Sequence, residues 1–226
     1  MKILIITDSL GLPRKTPEVV GYNETWVYYL NSETTTHQLS LGGGLLRDFI
    51  KQLEYLKMFK PDKVIIQLGI VDCVPRALTE RENHFVNKFW ILKKIAIVYL
   101  KYKKKKLRGK RGICYTNEKD FAKGLSLIKK SFKNVFCLSI VKPCLVYEEK
   151  IPGVRHNVDL YNDILKKTFS ENYIDVNDMD GTCIMSDHHH LNTKGHDYVF
   201  NKIKDRVLKE EEKEEKEEKE EEMNNN

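Results

Sequence analysis

The chain has 226 residues, 41% of them hydrophobic and 10% aromatic, which is enough to bury a core and too apolar for a disordered polypeptide. Its formal charge of +6 conceals a split, because residues 209–222 hold four Lys and ten Glu, a net −6, leaving +12 on the remainder. That basic body shows no basic helix-turn-helix and no paired zinc ligands, so nucleic acid is not an expected partner. The five cysteines (Cys73, Cys114, Cys137, Cys144, Cys183) are odd in number and form no C-x-x-C pair; they read as reduced thiols acting as small hydrophobes. No apolar run reaches the length of a membrane span, and the N-terminus opens into a strand without the features of a signal peptide, so a cytoplasmic location is the expectation.

Residues 2–6, apolar and β-branched, predict a buried strand that ends abruptly in Thr7-Asp8-Ser9-Leu10-Gly11. Thr16-Pro17-Glu18 has the form of an N-cap followed by proline at the first helical position. Residues 26–30 fit helix and strand equally well. Residues 34–41 predict a short strand running into Gly42-Gly43-Gly44, after which Leu45, Leu46, Phe49, Ile50, Leu53 and Leu56 share one face of a single predicted helix. Lys60-Pro61-Asp62 stops that helix. Residues 64–68 predict the next buried strand, which leads into Gly69-Ile70-Val71-Asp72-Cys73-Val74-Pro75-Arg76.

A helix is predicted over 91–100 and continues into the Lys/Arg-rich stretch 101–111. A solvated face is the ordinary reading of such a stretch. Weak contact of 101–111 with an anionic membrane surface, with Ile91, Ile95 and Leu100 at the headgroups, or with an anionic polymer, is the alternative. Phe121, Leu125, Ile128 and Phe132 mark another amphipathic helix, and residues 135–141 a fourth strand. A helix over 156–169 turns Val158, Tyr161, Ile164 and Leu165 inward, residues 173–176 make a short fifth strand, and Asn192 or Thr193 caps a last helix to about 208. Five alternations of strand and helix predict one three-layer α/β/α domain over 1–208, built on a parallel five-stranded sheet of flavodoxin type. The Glu/Lys tail, 209–226, is low-complexity and receives no chemistry.

Loops leaving the carboxyl ends of parallel strands converge on one rim, and here they carry Asp8-Ser9, Gly42-Gly43-Gly44 and 69–76. A serine hydroxyl needs a base to take its proton, and an imidazole needs an acceptor to fix its tautomer. Asp187-x-x-His190, just before the last helix, offers both parts, which gives Ser9, His190 and Asp187 as a nucleophile, base and orienter. The amides of Ser9 and Gly43 are the expected oxyanion donors. Three consecutive histidines beside an aspartate invite a metal reading, but consecutive side chains rarely converge on one ion, so neither metal nor cofactor is expected. His188 and His189 read as exposed loop residues, and His156 and His196 as non-catalytic helical ones. Asp8 is expected to bond loop amides and Asp72 to tie two strand-end loops; Asp72 and Arg76 are also the candidates for the substrate side, with Asn157 and Asn162 as possible cleft residues.

Thr7-Asp8-Ser9-Leu10 resembles the first block of the GDSL/SGNH hydrolase family, with Thr where the family usually has Gly. Ser40-Leu41-Gly42-Gly43-Gly44 is similar to its second block, and Asp187-x-x-His190-Leu191-Asn192 to its last. The resemblance spans nearly all of the chain except the tail. It implies an SGNH-type fold, a Ser9–His190–Asp187 triad, an oxyanion donor at Gly43 and hydrolysis of an ester through an acyl-serine. The third block departs from the family's Gly-x-Asn-Asp: Gly69-Ile70-Val71-Asp72 has valine where the family's asparagine donates to the oxyanion. Loss of such a donor costs on the order of 10²–10³ in turnover. Arg76 is a candidate replacement donor, an anionic-sugar binder or a surface residue. The run Gly-Ile-Val-Asp-Cys-x-Pro-Arg is similar to a variant in SGNH-like proteins of bacterial surface-polysaccharide clusters, which implies an O-acylated carbohydrate as substrate. Acyl transfer to a sugar hydroxyl and a non-catalytic binding or scaffold role are the alternatives.

Overall fold

Strand alternation sets the layering. In β1 (Lys2–Thr7), Leu4 and Ile6 point to one face of the sheet and Ile3 and Ile5 to the other, and all four are fully buried. A strand apolar on both faces belongs at the centre of a sheet covered on both sides. In the computed structural model, which describes residues 1–208, β1 pairs in parallel with β2 (Thr35–Ser40) on one side and β3 (Lys63–Gln67) on the other. Strands β4 (Val135–Leu138) and β5 (Tyr173–Ile174) extend the parallel sheet to the order β2-β1-β3-β4-β5. This is the doubly wound order of the flavodoxin type, as the alternation of elements predicts. The Glu/Lys tail assigned to 209–226 lies outside the described residues.

The helices divide between the two faces. After α1 (Trp26–Glu33) come α2 (Leu46–Ile50), α3 (Leu53–Lys57), α4 (Ile70–Cys73), α5 (Glu80–Lys88), α6 (Trp90–Arg111) and α7 (Glu118–Ser131). They are followed by α8 (Leu145–Lys150), α9 (Val154–Phe169) and α10 (Thr193–Ile203). Leu46, Phe49, Leu56, Phe121, Leu125, Val158 and Leu165 pack on the Leu4/Ile6 face, together with Val64 and Ile66. Trp26, Val27 and Leu30 of α1 and Val199 and Ile203 of α10 cover Ile3, Ile5, Ile65 and Leu138 on the other.

Several local expectations change. Residues 26–30 are helical because Thr25 caps them, its hydroxyl accepting from Tyr28 N–H, and Trp26 and Leu30 then fall on the buried side. The predicted helix at Thr16-Pro17-Glu18 does not form: paired backbone hydrogen bonds between Arg14 and Val20 close residues 14–20 into a loop. The single helix expected over 45–56 is two, because Gln52 N–H bonds Phe49 O three residues back and interrupts the four-residue ladder. Strand β4 ends at Leu138: Ser139 N–H still donates to Ile174 O of β5, but beyond it Ile140 N–H donates to the side chain of Asn162 and Lys142 N–H to that of Asn177. Asn162 also donates back to Ile140 O, so it braces the strand end and does not line a cleft.

Helix α6 runs 22 residues with Trp90, Ile91, Ile95, Val98 and Tyr102 exposed and Leu100 half-buried. Among the described residues no helix is long and apolar enough to cross a membrane. All five cysteines are free.

Helix α10 fixes the segment before it. Asn192 caps α10 by accepting from Gly195 N–H, and a Cβ on Gly195 would stand 2.3 Å from the backbone oxygen of Cys183. Because the obstacle is backbone, Gly195→Ala is expected to cost about 3 kcal/mol, at the upper end of overpacking penalties. A urea midpoint indistinguishable from wild type would show that the helix and the 183–192 segment are not locked together.

Candidate active site

In an open doubly wound sheet the crevice lies outside the carboxyl ends of the strands where the order reverses, here between β1 and β3. Ser9 stands there, half-buried, two residues beyond the end of β1. Asp8 anchors the turn that presents it: the Asp8 carboxylate accepts from Leu10 N–H at 3.0 Å, and Asp8 N–H donates to Gln67 O of β3.

The partner loop follows β5. Met185 N–H donates to His190 O, Asn192 N–H to Cys183 O, and Ile184 bridges Leu191, so residues 183–192 form a closed hairpin. His188 takes the left-handed φ of 74° that lets the chain reverse. Within the hairpin one oxygen of Asp187 accepts from the amides of His189 and His190 at 3.2 and 3.1 Å, and the other meets His190 Nδ1 at 2.7 Å. The carboxylate therefore holds the backbone and the ring of His190 together. With Nδ1–H donating to Asp187, Nε2 carries the lone pair, and Ser9 Oγ lies 3.0 Å from it. The structure thus brings Ser9, His190 and Asp187 into one hydrogen-bonded line.

Burial first, then the neighbouring His189, pulls His190 down to about 4 against the opposing pull of Asp187. Burial would raise Asp187, but the hydrogen bonds from the His190 ring and the two amides hold it down to about 2. Near neutral pH the pair is a neutral imidazole beside a carboxylate, the state a general base needs. Ligand atoms of Asp187, His189 and His190 lie within 4.8 Å of one another, yet His190 already uses Nδ1 on Asp187 and Nε2 on Ser9.

Arg14 was not among the residues the sequence singled out. Its Nη1 lies 2.9 Å from His190 Nε2, so a guanidinium N–H and the Ser9 hydroxyl share one lone pair. The loop that carries it is fastened to the triad hairpin, since Ser186 N–H donates to the Glu18 carboxylate. No sequence pattern marks it; the signal was only a basic residue in the loop after Ser9.

Other candidates sort by burial. Gly43 has φ 74° in the tight turn in which Gly44 N–H bonds Leu41 O, and Leu41 N–H bonds Thr7 O beside the Ser9 turn. Gly43 is exposed and nothing lies within 4 Å of where its Cβ would be. Asp72 is not on the substrate side: it is fully buried, and its carboxylate accepts from Leu46 N–H and Thr116 Oγ. It ties loops, the other role expected of it. Val71 packs against the core and supplies no donor. Arg76 is half-buried, stacks on Tyr115 at 4.8 Å and donates to Val71 O at 3.1 Å. Asn157 donates to Cys73 O and braces the same loop. His189 is not an exposed loop residue: it is half-buried between the rings of Tyr147 and His190, at 4.6 and 3.8 Å. His188 is also half-buried. His196 is buried and accepts from Trp26 N–H. A cavity of about 280 Å³ lies behind the hairpin, lined by Cys144, Asn177, Met185 and His188, and neither Ser9 nor His190 reaches it.

Two consequences are measurable. The Arg14 charge lowers His190, so Arg14→Gln is expected to move the acid limb of a rate profile to higher pH, still below 6.5 because burial and His189 remain. An unmoved limb would place Arg14 away from Nε2 in solution. Beneath the site, burial raises Asp8 to about 7 and Asp72 to about 6. A carboxyl raised on folding stabilises fully below its unfolded value of 3.8 and loses that contribution as pH climbs through the folded value. Asp8 therefore withdraws stability between about pH 4 and 7, against the opposite contribution of the depressed His190 and His196, so the stability difference between wild type and Asp8→Asn in urea titrations should fall across that window. Equal slopes would mean that Asp8 does not titrate in this range.

No protein-family model matches the sequence, and no curated protein matches it. Solved structures do. LAE5, an alpha/beta hydrolase enzyme from the metagenome of Lake Arreo, Spain, superposes with a TM-score of 0.57 at 17% identity, over 91% of this chain and 94% of that one. TesA gives 0.57 at 14% identity, over 92% and 98%. Axe2, an acetyl xylan esterase from Geobacillus stearothermophilus, gives 0.56 at 17%, over 91% and 94%. The chain therefore shares the three-layer α/β/α fold of these proteins.

Proposed function

We propose that the protein is a serine esterase that removes an O-acyl group, from a carbohydrate, through an acyl-serine intermediate. What carries this reading is the hydrogen-bonded line from Ser9 Oγ to His190 Nε2 and from His190 Nδ1 to Asp187. Ser9 Oγ attacks the ester carbonyl while Nε2 takes its proton, and Asp187 stabilises the imidazolium that forms. The amides of Ser9 and Gly43 are the donors assigned to the developing oxyanion. As the tetrahedral intermediate collapses, His190 returns the proton to the departing alcohol oxygen. A water molecule then repeats the cycle on the acyl-serine, with His190 again as base.

Support for an ester comes from the similar structures, of which one is an acetyl xylan esterase and another an esterase inhibited by monoethylphosphonate. The catalytic mutants of Axe2 replace an aspartate and a histidine three positions apart, the spacing of Asp187 and His190 here. Acetylated xylan as a substrate of Axe2 also favours a sugar ester here. Val71 is the observation that favours the second reading, a binding protein on the same fold, because it removes a side-chain donor from the oxyanion site.

The test is fluorophosphonate labelling of wild type and Ser9→Ala, read by intact mass, alongside turnover of p-nitrophenyl acetate. A stoichiometric adduct and turnover, both lost in Ser9→Ala, are expected. Folded wild-type protein with no adduct and no turnover above the variant would overturn the esterase and leave the binding protein.

A further inference from the structure

The rim beside the triad holds a concentration of positive charge that the reaction above does not use. Arg76 leaves the third-block loop, and its backbone N–H donates to Ile113 O just past the end of α6. That bond pins the last turns of α6 against the loop. Lys104 and Arg108 lie one turn apart on α6, and Arg108 O accepts from Gly112 N–H, next to Ile113. The turn between α8 and α9 closes on both: a Cβ on Gly109 of α6 would touch Pro152 at 3.5 Å, and one on Gly153 would touch Pro75 of the third-block loop at 3.7 Å. Arg76 and Arg108 are thus held at one junction of three elements.

Neither guanidinium is neutralised there. Among the described residues no carboxylate pairs with Arg76, Arg108 or Lys104, whereas Arg111, one turn on, is fully engaged by Glu82 and Ala77 O. The Nε atoms of Arg76 and Arg108 are both buried with no hydrogen-bond partner. A buried unpaired donor on a charged group is costly and calls for an acceptor that a ligand or water would bring. Arg76 is also stiffened by its stack on Tyr115 and its bond to Val71 O, which pre-orients its remaining N–H groups. Burial, then the charge of Arg76, depresses Arg108 below its ordinary value. The same neighbours depress Lys104 after burial. The junction reaches the triad through Tyr147, which feels Arg108, Arg76 and Asp187 and packs on His189, itself stacked on His190.

We propose that Arg76 and Arg108, with the exposed Lys104 one turn back along α6, form an anion subsite linked to the Ser9–His190 pair through the Tyr147 and His189 rings, and that the ester substrate is acidic, with a carboxylate or phosphate seated there. This deepens the esterase reading and rests on it. Planar guanidinium groups bind either oxyanion through paired N–H donors, and a neutral acylated sugar would leave both Nε groups without an acceptor.

The experiment compares two chromogenic esters, neutral p-nitrophenyl acetate and anionic 4-acetoxy-3-nitrobenzoate, on wild type, Arg108→Gln and Arg108→Lys. It adds calorimetric titration of each full-length protein with inorganic phosphate at constant ionic strength. Expected are phosphate binding to wild type that Arg108→Gln loses, and a kcat/KM for the anionic ester that falls at least about tenfold more than that for the neutral one. Arg108→Lys should recover part of both, and circular dichroism checks the fold. Both esters turned over with the same anionic-to-neutral ratio in wild type and Arg108→Gln, and no phosphate binding, would overturn the subsite while leaving the esterase intact. If wild type turns over neither ester, the esterase reading fails separately. Phosphate binding lost in Arg108→Gln would then keep the subsite on a binding protein, and its absence would remove the subsite too.

Discussion

The contact between Ser9 Oγ and His190 Nε2 joins residues 181 apart in sequence, and the rest of the molecule can be understood as what makes that 3.0 Å approach repeatable. A serine at the end of a central strand has its position set by two flanking ladders, β2 on one side and β3 on the other. The histidine has no such strand beneath it, since β5 is two residues long. Its position comes instead from a closed hairpin, a cap on α10 and a carboxylate that binds backbone and ring at once. Asp187 is therefore a structural residue as much as an electrostatic one. Removing it would free the His190 ring and also the amides that shape the turn.

Charge is layered around this pair in a consistent order. Two carboxyl groups, Asp8 and Asp72, lie fully buried under the loops, and burial keeps both above the ordinary carboxylate range. They organise backbone amides and do not face the rim. The rim itself is cationic: Arg14 touches Nε2, and Arg76 and Arg108 lie beyond Tyr147. Positive charge near the imidazole favours its neutral form, the form a general base needs, but it would oppose the imidazolium formed if Ser9 gave up its proton to it. An acidic substrate would relieve that conflict by neutralising the cations at the step when His190 becomes charged.

Most of the architecture was legible because the strands carry their own signal. Ile3 to Ile6 and Val64 to Ile66 are apolar on both faces, and only a buried central strand accepts that pattern. The hydrogen-bonded line of Ser9, His190 and Asp187 was legible because Ser9 and the Asp187-x-x-His190 spacing both sit at strand or helix boundaries. What failed was local competition. Pro17 looked like a helix start, but backbone pairing between Arg14 and Val20 decided the loop, and that pairing has no composition of its own. The periodic run from Leu45 to Leu56 keeps one apolar face even though its hydrogen-bond ladder breaks at Gln52, so periodicity alone could not reveal the break. Arg14 was invisible for a different reason. Its partner His190 is close in space and remote in sequence, and Arg14 belongs to no spaced motif, while Arg108 was visible only as one of the many cations in 101–111.

The third block shows how one substitution redistributes chemistry along a loop. Where the asparagine of the block it resembles would project a donor, Val71 turns apolar surface onto the core and adds to the packing under α4. The guanidinium of Arg76, five residues on, then reaches back to the carbonyl of the same Val71. That bond leaves the charge at the loop's edge, where α6 brings Arg108 alongside, so the loop exchanges a neutral donor at the reacting carbonyl for a fixed cation farther out. A donor at the carbonyl acts on every ester, because every ester forms the same oxyanion. A cation farther out acts only on a substrate that carries a charge to meet it. The loss at position 71 is therefore general, while the gain at position 76 is selective. An enzyme built this way would be slow on simple esters and would recover its rate through the remote binding energy of the acidic substrate.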